Sequence, residues 1–258
     1  MADASDWNCV WITGASSGIG LELARQLDGE VAHVAVSARS ADKLRVLADQ
    51  SRTVAAFPLN VSDEKSVADA VENIEDAHGP IDLAILNASL WRLMAVTELD
   101  LDAIRAALQV NSMGVVHAVA ALVPRMVARR AGHIAIVASV AGYRGLPSSI
   151  AYGPTKAALI NLAEILRCEL EPLGVTVSVV NSGFVDTPAT RTNPFPMPAL
   201  MTAPDAARRM IEGLARKHYE VIFPRRFVYA TKLLRLLPNA VFFFVVRRFI
   251  WRQQPAKG

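Results

Sequence analysis

The sequence predicts an α/β fold: a single doubly wound domain in which a parallel sheet of about seven strands carries helices on both faces. Three observations predict it. Short β-branched runs alternate with longer helical patterns along most of the chain. The strands are apolar nearly throughout, as a sheet covered on both faces requires. The chain of 258 residues shows no internal repeat, low-complexity tract or linker, and that length suits one large domain with a substantial core.

Six strands are expected in order, "CVWIT" (9–13), "VAHVAVS" (31–37), "TVAAFPL" (53–59), "DLAILN" (82–87), "HIAIVAS" (133–139) and "VTVSVVN" (175–181). Helical patterns fall between and after them, at 18–27, 41–50, 63–77, 99–128, 150–171 and 203–217. Ser62 followed by Asp63 and Glu64 suits a helix start, and Pro172 with Gly174 suits a stop. Thr202-Ala203-Pro204-Asp205 combines a capping threonine with an early proline and acid. A short seventh strand is expected at 221–223. Residues 1–224 thus form the predicted domain, and 225–258 a C-terminal extension of two apolar helical segments separated by Pro238.

Composition narrows the function classes. Hydrophobic residues make up 52% and charged residues 20%, which excludes a disordered chain. Two cysteines, Cys9 and Cys168, give no disulfide framework and are expected to be buried small hydrophobes in a reducing compartment. No histidine falls in a metal-ligand spacing, so no metal is expected. The N-terminus lacks the pattern of a signal peptide, and the late apolar run from Ala240 to Val246 is far too short to span a membrane. The expected location is cytoplasmic.

The first strand–turn–helix, "CVWITGASSGIGLELARQL", is glycine-rich at its turn. Gly14 suits a tight turn, while Gly18 and Gly20 admit a pyrophosphate and close helix–strand packing. The helix N-terminus then presents free N–H groups to phosphates. This is the pattern of a Rossmann-like dinucleotide site. The second strand ends Ser37-Ala38-Arg39 without the acid that holds an NAD ribose. Arg39 can instead fork onto a 2′-phosphate, which favours NADP(H).

Together these residues resemble the short-chain dehydrogenase/reductase family. Thr13 to Gly20 is similar to its TGxxxGxG loop, and Tyr152-Gly-Pro-Thr-Lys156 to its YxxxK motif. Asn87-Ala88 matches the start of its NAG element, Ser139 stands thirteen residues before the tyrosine, and Asn111 matches the family's asparagine. The likeness covers roughly residues 8–190. It implies Ser139, Tyr152, Lys156 and Asn111 as the catalytic set. Tyr152 would exchange the carbonyl or alcohol proton, Ser139 would orient the substrate oxygen, Lys156 would hold the nicotinamide ribose, and Asn111 would anchor a relay water. Cofactor contacts are implied for Gly14, Ser16, Ser17, Gly18, Ile19, Gly20, Arg39, Asn60, Val61, Asn87, Ala88, Tyr152, Lys156, Gly183, Val185 and Thr187. The chain departs from the family pattern at Ser89, Asn60 and Ser182, the last standing where proline is common.

Elementary chemistry agrees with these roles. A free tyrosine has a pKa near 10, too high for acid–base work at neutral pH. Lys156 shares its helix face one turn on, so its ammonium is expected to favour the phenolate. Pro154 fits an early helix position, where no N–H is needed, and Gly153 clears space beside it. Gly14, Arg39, Asn60, Asn87, Ser139 and Gly183 all fall at or after strand ends, the edge where such sheets bind ligands.

The segment 188–204, "PATRTNPFPMPALMTAP", is expected to be a substrate loop. Phe195, Met197, Leu200 and Met201 are candidate lid residues, and Trp91, Tyr143 and Leu146 candidate walls. From Arg216 onward ten Lys/Arg face one acid, Glu220. Such a tail suits either a membrane interface or a partner subunit, and nucleic acid is not expected. The predicted function is hydride transfer between NADP(H) and a hydrophobic carbonyl or alcohol. The family resemblance implies a homodimer or homotetramer. Two other classes stay open: a non-enzymatic NADP(H)-responsive regulator and a membrane-associated scaffold.

Overall fold

The computed structural model describes residues 7–250. The strands are β1 (Cys9–Thr13), β2 (His33–Ser37), β3 (Val54–Ala56), β4 (Leu83–Leu86), β5 (His133–Val137), β6 (Thr176–Ser182), β7 (Val185–Asp186), β8 (Met201–Thr202) and β9 (Glu220–Phe223). Seven of them form one parallel sheet in the order β3-β2-β1-β4-β5-β6-β9. The order reverses beside β1, so the crevice outside the β1 and β4 ends is the topological switch point of the sheet.

The helices are α1 (Gly18–Leu27), α2 (Ala41–Asp49), α3 (Glu64–His78), α4 (Leu101–Leu108), α5 (Gly114–Arg129), α6 (Gly153–Leu170), α7 (Ala203–Ala215), α8 (Arg225–Leu236) and α9 (Asn239–Val245). Side chains alternate across each strand and feed two cores. Cys9 and Trp11 of β1 join Val115 and Leu122 of α5 and Leu159 of α6 on one face. Val10 and Ile12 join Leu23 of α1, Leu44 of α2 and Met210 of α7 on the other. Each fully buried Val, Leu or Ile in these layers contributes about 1.5–3 kcal/mol, and that double coverage explains the uniformly apolar strands.

Several boundaries differ from the sequence reading, each for a local reason. The cap of α3 is Asp63, whose carboxylate accepts the Ser66 N–H; the Ser62 N–H is instead turned back onto Asn60 Oδ1. Thr202 caps α7 as expected, accepting the Asp205 N–H. The strand expected at 53–59 ends at Ala56, just before Pro58, which has no N–H to donate. The helix expected over 99–128 is interrupted by a π turn at Gln109–Met113. Its extra residue aims Asn111 inward, and such turns recur at functional sites. The combined run Leu101–Arg129 has the length and mean hydropathy, 1.6, of a membrane span. Here about a third of that run is buried, with Val115, Ala118, Leu122 and Met126 facing the core.

Cys9 is fully buried, and burial pushes its thiol up to about 12. Cys168 corrects the expectation of burial: it lies exposed on α6.

Arg144 ties the C-terminal segment to the loop after β5. Its guanidinium donates to the carbonyls of Arg235 and Leu237 and to Asn239 Oδ1, and stacks over the Phe242 ring at 4.0 Å. It therefore satisfies carbonyls at the end of α8 and anchors the start of α9 together. Arg144→Ala removes these bonds and the cation–π contact, for an expected loss of about 1–3 kcal/mol. A lowered thermal midpoint, with faster amide exchange confined to α8 and α9, is the expected result.

Candidate active site

The carboxyl ends of the central strands open into a cavity of about 580 Å³. At one end lies the turn after β1. Gly14 N–H and Ala15 N–H both donate to Ser37 O at the tip of β2. A Cβ on Gly20 would stand 2.4 Å from Gly14 O and 2.7 Å from Asn87 Nδ2, so only glycine lets the helix pack this close to the turn. Asn87 braces the same turn. Its Nδ2 donates to Thr13 O at 3.0 Å, while Thr13 Oγ1 accepts the N–H groups of Asn87 and Ala88.

Ser16, Ser17, Gly18 and Ile19 line the cavity around the N-terminus of α1. Ser17 occupies the cap position without a side-chain cap bond, so the first N–H groups of the helix are available to an anion. Arg39 stands exposed at the rim and forms no salt bridge among the described residues. Ser37 itself is turned away, its Oγ taken by the buried Trp11 Nε1 at 2.9 Å. Asn60, Val61, Ala88, Gly183, Val185 and Thr187 complete the expected cofactor side. A turn cradle, a free helix N-terminus and an unpaired arginine are the donor set that a phosphorylated dinucleotide needs.

At the other end stand the four residues expected to be catalytic. Ser139 closes β5 in extended backbone, accepts the Ala141 N–H at 3.2 Å and donates to Ser182 O at 3.3 Å. The following turn packs directly on α6: a Cβ on Gly142 would meet Lys156 C at 2.7 Å and Ala157 N at 2.8 Å. Glycine at 142 therefore sets how near Ser139 comes to Tyr152, and both side chains line the same cavity. Tyr152 is the N-cap of α6, and Pro154 sits in its first turn. The Gly153 N–H, which no helical carbonyl could satisfy, bonds Ser149 O at 2.7 Å. Trp91 stands edge-on to the phenol ring at 4.5 Å.

Lys156 is 1% exposed; its Nζ donates to Val137 O at 2.8 Å and lies 5.4 Å from the Tyr152 ring. Burial pulls its pKa down to about 7 and pushes the phenol up to about 12, the nearby Ser139 hydroxyl opposing the latter only in part. The expectation that the ammonium lowers the phenol pKa is not met in the chain by itself: burial raises it, and the opposing influence comes from the Ser139 hydroxyl, not from the lysine.

Asn111, 0% exposed, does not reach the cavity surface with its side chain. Its Oδ1 accepts the Leu90 N–H at 2.6 Å and the Ser89 hydroxyl at 3.2 Å, while Nδ2 donates to Leu90 O and Thr155 Oγ1. It locks the loop after β4 to α6 beneath Tyr152. Ser89, in place of the family's glycine, adds a hydroxyl to this lock. Gly20 likewise packs behind the cradle rather than lining it. Every other site residue expected from the sequence lines the one cavity.

The substrate half is apolar. Trp91 and Leu146 are walls as expected, and Phe195 closes from the loop after β7. Trp91 Nε1 donates to Asn193 Oδ1 at 2.9 Å, fastening that loop down. Four expected lining residues are corrected. Tyr143 faces away from the cavity, its hydroxyl donating to Glu220 Oε1 at 2.7 Å. Met201 is held in β8, paired with β7, and packs on the core. Met197 and Leu200 also fall outside the lining. The sequence reading missed Phe184 and three residues of α8: Phe227, Thr231 and Leu234. The last three recur at i, i+4 and i+7, one helix face, a signal the sequence does carry.

Comparison with known proteins adds an independent line. Residues 8–195 match the family model described as short chain dehydrogenase. An uncharacterized oxidoreductase of Myxococcus xanthus is 34% identical over 96% of this chain and 99% of its own. Another, from Staphylococcus saprophyticus, is 32% identical over 69% of this chain and 78% of its own. Among solved structures, a short-chain dehydrogenase/reductase from Burkholderia phymatum in complex with NAD superposes with a TM-score of 0.80 at 23% identity, covering 90% of this chain and 94% of that one. A short-chain dehydrogenase from Sphingobium yanoikuyae in complex with NADPH gives 0.75 at 25% identity, over 90% and 97%.

Proposed function

The chain is an oxidoreductase belonging to the short-chain dehydrogenase family, and from that premise we propose that it reduces the carbonyl of a hydrophobic small molecule, or oxidises the matching alcohol, with NADP(H). The observation that carries this reading is the meeting of Ser139, Tyr152 and Lys156 in the same cavity as the glycine cradle and an apolar lining.

The bound nicotinamide would supply or accept the hydride; the chain supplies everything else. Ser139 Oγ and the Tyr152 phenol, which line the same cavity, converge on one substrate oxygen and fix its approach. Burial keeps the proton on the phenol, the form that can donate to a carbonyl oxygen as negative charge develops there. Lys156, buried beside the phenol, offers its remaining N–H groups to ribose hydroxyls and a positive charge to the developing phenolate. Phe184, Phe195 and Phe227 exclude water and select an apolar substrate. Among the described residues the cavity lining carries two formal charges, Arg39 at its cofactor rim and Lys156, which favours an uncharged substrate body.

Arg39 carries the cofactor preference. NADPH is expected to raise the thermal midpoint more than NADH at equal concentration, because ligand that binds only the folded chain stabilises in proportion to ln(1 + [L]/Kd). In Arg39→Ala the NADPH advantage is expected to shrink by about tenfold or more in Kd, the worth of a charge-assisted pair. Equal protection by the two cofactors in the unsubstituted chain would overturn the NADP(H) assignment. The reaction class itself is tested by an NADPH-oxidation screen over aliphatic, aromatic and steroid-like carbonyls. Turnover abolished by Tyr152→Phe supports it; no turnover with any class, despite NADPH protection, would favour the regulatory alternative.

A further inference from the structure

The C-terminal segment shows two opposite faces. On α8, Phe227, Thr231 and Leu234 line the cavity, while Tyr229, Leu233 and Leu236, offset by about 200° around the helix, are 57%, 64% and 78% exposed. On α9 and the π turn that follows it (Val246–Ile250), Phe242 and Val246 are buried, yet Phe243, Phe244 and Phe249 are 54%, 61% and 56% exposed. Six large apolar side chains on one short segment exceed the scattered exposure normal for a surface.

Charge accompanies them. Arg225, Arg226, Arg235, Arg247 and Arg248 are all exposed. Arg247 Nε donates to Phe243 O at 3.2 Å, and the Arg248 guanidinium lies 5.4 Å from the Phe249 ring, so the cations are interleaved with the exposed aromatics. Residues 221–258 contain eight Lys/Arg and no acid. The one acid nearby, Glu220, is already engaged by Lys232, Tyr143 and Asn181.

We propose that the α8–α9 segment is a docking face for an anionic lipid surface. Such a surface offers an apolar bed for the phenylalanines and leucines and phosphate groups for the arginines at the same depth. A second copy of this chain pairing through the same face would set arginine against arginine, with no acid in the segment to relieve it. A nucleic acid would meet the arginines but leave the leucines in water. Because the inner face of α8 lines the cavity, docking would bring an apolar, membrane-dissolved substrate to the catalytic pocket. That last step rests on the proposed reaction; the docking does not.

Co-sedimentation of the full chain with vesicles tests it without any substrate. Binding is expected to vesicles containing about one third phosphatidylglycerol, to be far weaker to phosphatidylcholine alone, and to fade at about 0.5 M salt as the attraction is screened. Arg247→Gln with Arg248→Gln is expected to weaken partitioning about twentyfold, and Phe243→Ser with Phe244→Ser by a comparable factor even at low salt. Neither pair touches the cavity, so NADPH protection should be unchanged in both. Should the phenylalanine variant fail to fold, the arginine pair and the salt series still decide. Unsubstituted chain that stays in the supernatant with anionic vesicles overturns the proposal, as does equal binding by the arginine variant. A concentration-dependent doubling of mass, lost in the phenylalanine variant while vesicles bind nothing, would overturn it in favour of a second copy.

Discussion

Replacing Tyr152 by phenylalanine is expected to lower turnover by about 10²–10⁴-fold, the usual worth of a positioned proton donor. The substitution deletes one oxygen and keeps the ring that Trp91 contacts edge-on at 4.5 Å, so the cavity wall and the α6 N-terminus should survive. NADPH protection against heat is expected to persist, because the glycine cradle and Arg39 lie at the other end of the cavity. The informative result is this split: chemistry lost, cofactor retained. Full turnover in Tyr152→Phe would sink the proposed mechanism, whatever the substrate. Loss of NADPH protection along with turnover would instead mean that the phenol serves the fold.

Lys156→Met is expected to move activity and stability in opposite directions. Turnover should fall by about 10²-fold or more, since the buried amine stands beside the phenol and is a candidate anchor for the cofactor. Stability at neutral pH should rise. The sign follows from the lysine pKa, which falls from its ordinary 10.5 to about 7 in the folded chain through burial. Between those values the unfolded chain binds a proton that the folded chain does not, so stability increases with pH across the window 7 to 10.5. The cost of the buried ammonium is fully present below about 7 and gone above 10.5. Each pKa unit corresponds to about 1.4 kcal/mol, so the penalty amounts to a few kcal/mol, partly offset by the bond to Val137 O. Thermal melts of the two proteins without cofactor, run from pH 6 to pH 10, should show the methionine variant ahead at low pH and the gap closing as pH rises. A constant gap, or a less stable methionine variant at pH 6, would remove burial as the cause.

Why the pair is legible in sequence while its electrostatics are not has a simple physical basis. The spacing of Tyr152 and Lys156 is a property of the helix, which puts residues four apart on one face wherever that helix lies. Their pKa values depend on what surrounds that face: Val137 O, the turn at Gly142, and the exclusion of water. From spacing alone the cation is expected to dominate the phenol; with the neighbours in place, desolvation does. Asn111 shows the same division. Its identity singles it out, but its side chain is spent on Leu90, Ser89 and Thr155. Nothing local to "LQVNSMG" reveals partners more than twenty residues away.

The sequence by itself determined the sheet, its parallel sense, the cradle after β1 and the edge at which the site lies. Each follows from period, glycine spacing and strand order, which are local or topological properties. Tertiary structure alone decided which face of each element meets the cavity. Tyr143, an aromatic on the same loop as Ser139, turns outward because Glu220, far along the chain, accepts its hydroxyl. The segment after Pro224, read as an extension, sends Phe227, Thr231 and Leu234 into the substrate wall. It can do so because Arg144 and Val228 fix its packing on the body of the protein. Period marks a helix face, as for Phe227, Thr231 and Leu234, but not which residues more than seventy positions away that face will meet. Those contacts exist only once the chain has folded.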